Sequence, residues 1–485
     1  MSSTARRPPN IVWFCTDQQR WDTLGCFGNP FVRTPNLDRL ASTGAAFERF
    51  YTQSSVCLPS RVSFNTGRYP RTTHARSNAD SIPTGERLIT RILADAGYVC
   101  GLSGKLHVSG VDPETGLERR IDDGLSEFYE SEAPGPHWPG DVLGAMDAKY
   151  RAETESTNQY TGWLAKRGLS YQPGPHESSP WVEVGMQPES HQTTWCVDRG
   201  VDFIQEQPKD QPWLLAVNPY DPHHPFDPPA EYLKRYLDHL DELPLPNYRP
   251  GELNEKPAPY ETCHRGAYGA PGKFAYSDMT DRDHRLIRAA YWAMIDLIDV
   301  QVGRMMQAIA DLGQADNTLM LFMADHGEML GDHGVYLKGP FLSDPAVHVP
   351  LVIHGAGVQR GLRSRALVEA VDLVPTVLDA AGIAIPANVQ GKSLWPLLTG
   401  KVDPDHHRED IYSEYYNAAG MMQRFNWKLS LLRNDRYALI SMRDHDEGEL
   451  YDHQNDPLES YNLWDDPAHQ AIKAQMLNRL CDRLD

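Results

Sequence analysis

"NIVWFCTDQQR", residues 10–20, holds an unbroken apolar run from Ile11 to Cys15 that stops on Thr-Asp-Gln-Gln-Arg. A run this short, without alternation and closed by polar residues, reads as a parallel strand buried on both faces. The pattern recurs in "YVCGLSGKLH" (98–107), "PWLLAVNPYDPHH" (212–224), "TLMLFMADHGE" (318–328) and "VPLVIHG" (349–355). Helical patterns lie between these runs. "TPNLDRLASTGAAF" (34–47) opens on Thr-Pro, "GERLITRILADAG" (85–97) ends on Gly, and residues 282–313 are long and amphipathic. Strands alternating with helices imply a doubly wound sheet with helices on both faces. Ligands of such sheets bind beyond the carboxyl ends of the strands. Asp17, Lys105, His107, His223, Asp325 and His326 all fall there.

The chain of 485 residues is long enough for one large α/β domain with an appendage, or for two or three ordinary domains. It sets 46 basic against 66 acidic side chains, a formal net charge of −20. That balance argues against nucleic acid as a partner, because duplex binding needs clustered Lys and Arg. A small anionic substrate stays compatible with it, since a local basic pocket can sit in an acidic protein. No stretch approaches membrane-spanning length, and the apolar run after "MSSTARRPPN" is too short for a signal-peptide core. The cysteines at 15, 26, 57, 100, 196, 263 and 481 are scattered and never form C-x-x-C. This argues against a disulfide framework or structural zinc and for a cytoplasmic protein with reduced thiols. A homo-oligomer is left open.

Residues 120–190 and 240–280 are rich in Pro, Gly, His and acidic residues and read as long loops covering a site. Their aromatic residues, among them Trp138, Trp163, Trp181, Tyr260 and Tyr268, and Tyr415 and Tyr416 further on, could stack on a sugar or aryl ring or simply pack the loops. After "KSLWPLLTG" (392–400) the texture changes to short antiparallel strands, "DIYSEYY", "RFNWKLSLL" and "YALISM", with a terminal helix near 467–484. The expected division is a catalytic α/β domain over 1–400 and a small α+β subdomain over 401–485.

"CLPSR", residues 57–61, followed by Thr66-Gly67-Arg68, raises the question of function. On its own, Cys57 could be a packing residue, a nucleophile, a metal ligand or a precursor. The stretch resembles the C-x-P-S-R signature of type I sulfatases, members of the alkaline phosphatase superfamily. The resemblance extends along the chain: residues 9–51 look like the sulfatase opening, "GKLH" like its G-K-x-H element and "PHHPF" like its P-H-x-P-F. "MADHGEMLGDHGVYLKG" (323–339) is similar to its second metal segment and "ELYDHQNDPLESYNL" (449–463) to its C-terminal motif.

The resemblance implies an alkaline-phosphatase-like doubly wound mixed sheet with a smaller C-terminal α+β domain. It implies that a formylglycine-generating enzyme oxidises Cys57 to formylglycine, whose hydrated aldehyde attacks the sulfur of a small-molecule sulfate ester and later expels sulfate. It assigns one divalent cation to Asp17, Gln18 (or Gln19, since a one-residue difference at a strand end is open), residue 57, Asp325 and His326. This donor set carries less charge than an all-oxygen calcium cage and includes an imidazole, so the preference for Ca²⁺ is narrow, with Mn²⁺ close behind. By the same resemblance Lys105, Lys338 and Asn78 bind the sulfate, and Arg61 neutralises the diol oxygen. His107 is the base for elimination, and His223 protonates the leaving alcohol with help from Lys338. A rival reading comes from formylglycine-dependent phosphonate monoester and phosphodiester hydrolases. They share the motif and often the Asp-Gln and Asp-His pairs, whereas the Lys-x-His of "GKLH" is the sulfatase form. A catalytically inactive binding protein of the same family is the third reading.

Overall fold

The computed structural model describes residues 7–110, 118, 122–130, 159–416 and 426–484. Trp138 lies outside them. Eight strands form the central sheet: β1 (Asn10–Thr16), β2 (Ala45–Phe47), β3 (Val99–Gly104), β4 (Glu127–Glu130), β5 (Trp213–Asn218), β6 (Thr318–Ala324), β7 (Leu351–Gly355) and β8 (Leu362–Ser364). Their spatial order is β8-β2-β7-β6-β1-β5-β3-β4. All neighbours are parallel except at β7, which runs against both β6 and β2.

The two faces of β1 divide the core. Val12 and Phe14 point into one cluster with Leu215, Val217, Met320 and Phe322, covered by α1 (Pro35–Thr43) and other helices. Ile11, Trp13 and Cys15 point into a second cluster with Leu214, Ala216, Leu321 and Met323, covered by Leu58 and Val62 of α2 (Cys57–Thr66). Burial on both faces is why these strands read as continuous apolar runs. On the first face also lie α3 (Gln192–Glu206) and α4 (Asp281–Asp311). Thr280 opens α4 with a capping box, its hydroxyl accepting from Asp283 N and the Asp283 carboxylate accepting from Thr280 N. Asp299 of α4 accepts from the backbone N–H of Asn36 and Leu37, and so satisfies the start of α1, which Thr34 does not cap. On the second face sits α5 (Leu373–Ala381).

The strand at 349–355 was expected to be parallel and is antiparallel. The chain leaves β6 at the carboxyl edge and stays there through residues 325–350, which carry His326 and Lys338. It therefore enters β7 from that edge and must run backwards. The predicted helix over 34–47 is shorter than its pattern, because Ala45–Phe47 leave it to pair with β7 and β8.

Four antiparallel strands, β9 (Asp410–Tyr416), β10 (Lys428–Asn434), β11 (Tyr437–Met442) and β12 (Gly448–Asp452), make a second sheet in sequential order. Helix α6 (Gln470–Leu484) packs on it through Met476 and Leu480. The fourth strand is a difference from the sequence reading, which placed three. This unit meets the rest through Tyr69 and Val371 in a shared apolar cluster, and through the ion pairs Arg433–Asp344 at 2.6 Å and Arg483–Glu369 at 2.9 Å. Tyr260 and Tyr415 are buried and pack the protein itself, so they are closed to ring stacking.

Asp344 also accepts from His348 Nδ1 and Tyr51 Oη, and its backbone N–H donates to Glu459. Removing the cation from such a buried network leaves the acids uncompensated, a loss of about 3 kcal/mol or more. We predict that Arg433→Met lowers the thermal midpoint by several degrees, and that the reverse charge Arg433→Glu prevents accumulation of folded protein; differential scanning calorimetry checks both.

Candidate active site

Parallel pairing of β1 with β6 puts Thr16 opposite Ala324, so the next residues, Asp17 and Asp325, emerge side by side. The Asp325 N–H donates to the Thr16 carbonyl at 3.1 Å, which fixes that stagger. Two adjacent buried carboxylates repel and each loses hydration, so they require cations. Arg61 supplies the first. Its Nε donates to Asp325 Oδ2 at 2.8 Å and its Nη2 to Asp17 Oδ2 at 3.1 Å, with all three side chains fully buried. Lys105 Nζ adds a contact to Asp17 Oδ2 at 2.8 Å.

Helix α2 starts at Cys57, which places residue 57 at a positive helix end, one turn ahead of Arg61. Cys57 Sγ lies 3.0 Å from Lys338 Nζ and 3.1 Å from His326 Nε2. One ligand atom each from Asp17, Cys57, Asp325 and His326 all fall within 4.8 Å of one another. His326 Nδ1 donates to the Gly327 carbonyl at 3.0 Å, which aims Nε2 at the carboxylates of Asp17 and Asp325. Two carboxylates, an oriented imidazole and residue 57 make a donor set that fits a divalent cation.

Electrostatics separate Cys57 from the other cysteines. Burial opposes charge on its sulfur, yet Lys105, Lys338, His326 and a hydrogen bond with His107 hold its pKa well below the ordinary thiol value. Burial pushes Cys26, Cys100 and Cys263 up to about 12. The pocket therefore stabilises negative charge on the atom that residue 57 projects, whether sulfur or oxygen.

Gln18, at φ 64°, accepts from Lys338 Nζ through Oε1 at 3.0 Å and donates through Nε2 to Glu328. Lys338 Nζ also lies 2.8 Å from His223 Nε2. His223 Nδ1 donates to the His224 carbonyl at 2.6 Å, and burial together with Lys338 lowers its pKa to about 4. His223 is thus neutral at pH 7, and its Nε2 accepts from the lysine. His107, at φ 51°, is buried beside this group. Asn78 sits one step further out, its Oδ1 accepting from the Leu58 N–H at 3.2 Å.

Three residues of this arrangement were not singled out from the sequence. Glu328 clamps the Gln18 amide and accepts from Leu330 N and Leu337 N. Asn218 ties down the Lys105 backbone, its carbonyl accepting from Lys105 N at 3.0 Å and its Nδ2 donating to Lys105 O at 2.8 Å. His224 stacks on His223 with centroids 4.2 Å apart. Glu328 stands in the quoted "ADHGE", but nothing in the spacing says that its carboxylate folds back toward Gln18.

An open α/β sheet carrying a low-pKa cysteine at a helix start, two strand-end carboxylates and flanking lysines is that of a hydrolase of the alkaline phosphatase superfamily. Residues 9–383 match the family model described as Sulfatase, and residues 331–484 that described as N-sulphoglucosamine sulphohydrolase, C-terminal. The chain belongs to the sulfatase family, sulfuric ester hydrolases by class. It is 29% identical over 476 residues to an arylsulfatase of Clostridium perfringens, covering 94% of this chain and 90% of that one. Two solved structures superpose over 98% of this chain: phosphonate monoester hydrolases of Agrobacterium radiobacter (TM-score 0.82, 25% identity, 96% of that chain) and Silicibacter pomeroyi (0.80, 27%, 95%). No helix among the described residues is long and apolar enough to cross a membrane.

Gly104 holds φ 107° at the end of β3, and a Cβ there would lie 2.0 Å from the Asn218 carbonyl oxygen. Gly104→Ala should cost about 1–3 kcal/mol from backbone strain alone, and should displace Lys105. The expected outcome is a lower thermal midpoint together with turnover reduced roughly 100-fold, measured on the same purified sample.

Proposed function

We propose that the protein hydrolyses a sulfate monoester of a small alcohol, with Cys57 converted to formylglycine by a formylglycine-generating enzyme. The observation that carries this reading is the convergence of Lys105, Lys338, His326, Asp17 and Asp325 on residue 57. Asp17, Gln18, Asp325 and His326 would hold the divalent cation, Ca²⁺ in preference to Mn²⁺. When bound, it would lower the pKa of an oxygen on residue 57. Formylglycine would supply that oxygen where Cys57 Sγ now stands.

The remaining steps belong to residues of the chain. Lys105 and Lys338 hold the non-bridging sulfate oxygens as point charges, with Asn78 at the edge. Arg61 keeps the two carboxylates apart and offsets charge on residue 57. His223 delivers a proton to the departing alkoxide. Its Nε2 accepts from Lys338 in the free protein, so an arriving sulfate that draws Lys338 away and adds negative charge raises the His223 pKa and loads it. His107 takes the proton from residue 57 that lets sulfate leave. All these residues precede position 400, and we assign 1–400 as the catalytic domain with 401–485 as its subdomain.

General acid catalysis matters most when the leaving group is a poor one. His223→Ala should therefore reduce kcat/KM by about 10²–10⁴ for an alkyl sulfate and much less for a nitrophenyl sulfate; equal losses on both would remove the acid role.

The second reading, phosphonate monoester or phosphodiester hydrolysis, is favoured by the Gln18 and His326 pair and by the two structural neighbours. The Lys105-x-His107 pair supports sulfate. We expect kcat/KM for an aryl sulfate to exceed that for the matching aryl phosphonate monoester, and a large preference for the phosphonate would reverse the assignment. After coexpression with a formylglycine-generating enzyme, the peptide containing residue 57 should carry the mass of the aldehyde, and Cys57→Ala and Cys57→Ser should fold without turnover. A peptide holding only unmodified cysteine would support an inactive binding protein instead.

A further inference from the structure

Beyond the end of β3, three consecutive backbone N–H groups converge on one carboxylate. His107 N donates to Glu118 Oε2 at 2.7 Å, while Val108 N and Ser109 N donate to Glu118 Oε1 at 2.6 and 2.9 Å. Successive amides bent through a left-handed residue form a concave anion-binding nest, and His107 provides that residue at φ 51°. The nest is internal, since His107 and Glu118 are each 6% exposed and Val108 and Ser109 are fully buried. The anion that fills it is a side chain of this chain, eleven residues downstream of His107.

We infer that Glu118 is a positioning residue: its carboxylate, seated in the 107–109 nest, holds the His107 ring against residue 57. This rests on the role given to His107 under the proposed function. The geometry explains why such a clamp is needed. Lys105 is fixed on the upstream side by Asn218 and Asp17, and Leu106 is buried in the core cluster below. His107 then turns into a backbone region that side-chain-bearing residues enter at a cost of about 1 kcal/mol or more. Three charge-assisted hydrogen bonds hold it there. Burying a lone carboxylate would be unfavourable without such donors, so nest and acid stabilise each other.

The test removes the carboxylate and returns it as a small molecule. In Glu118→Ala we expect kcat to fall roughly 100-fold, as for misplacement of a reacting group by about 1 Å, with a smaller change in KM. Acetate or formate should restore part of kcat. Independently of turnover, the thermal midpoint of Glu118→Ala should rise saturably with acetate or formate, beyond the matched chloride control and beyond any rise in the wild type. Glu118→Gln should be poorly active and resist rescue, because its amide still fills the space while its NH₂ faces N–H donors. In a double-mutant cycle, Glu118→Ala should add little to the loss in His107→Ala if it acts through that ring. Absence of any carboxylate-dependent rise in midpoint or kcat, or full additivity with His107→Ala, would overturn the inference. If His107→Ala alone leaves turnover intact, the proposed role of His107 fails. The acetate-dependent midpoint would still report the nest, so the two failures are distinguishable.

Discussion

The structure depends on a guanidinium that never meets water. Arg61 lies between Asp17 and Asp325, all three fully buried, at the seam where two parallel strands end. Parallel register forces the acids together, and without a cation the seam would be untenable in a low-dielectric interior. Because Arg61 sits on α2, satisfying the acids also fixes the start of that helix, and with it the point at which residue 57 faces the cluster. Ser60, on the same helix, donates to the Asp325 carbonyl and strengthens the link. Fold and site therefore share one ion pair network, and a substitution there acts on both.

This network also reconciles an acidic protein with an anionic substrate. The formal charge of −20 is a property of the whole chain, whereas Lys105, Lys338 and Arg61 are concentrated at the strand ends. Low dielectric amplifies their field at short range, and screening removes the distant surface acids from the balance. The depressed pKa at Cys57 is the local record of that field.

How much of this was legible in the sequence follows from how local each cause is. The strands could be read because burial on both faces writes itself as an apolar run, and their polar ends therefore located Asp17, Lys105, His223 and Asp325. The reversed direction of β7 could not, since it depends on where residues 325–350 travel and not on any residue of β7 itself. Motif resemblance supplied roles for the reacting groups, while the residues that hold them stayed hidden. Asn218, Glu328 and Glu118 act through backbone amides or a neighbouring side chain, and such partners leave no spacing pattern. Trp138 lies outside the described residues.

The hidden residues share a physical logic. Gln18, His107 and Leu337 all adopt positive φ without being glycine, and each is a site residue or precedes one. In each case the N–H donates to a buried carboxylate: Gln18 to Asp325 at 3.0 Å, His107 to Glu118 at 2.7 Å and Leu337 to Glu328 at 2.5 Å. Left-handed turns let the chain reverse within one residue and aim a side chain back across the sheet edge, at a cost that persists only where surroundings over-determine it. A carboxylate that accepts the N–H supplies that constraint, and the N–H in turn offsets part of the acid's burial. Glycine would relieve the strain but carries no imidazole or amide to aim. The acids of this site therefore do two kinds of work, closing the cluster around residue 57 and holding the backbone that presents it, and Asp325 does both.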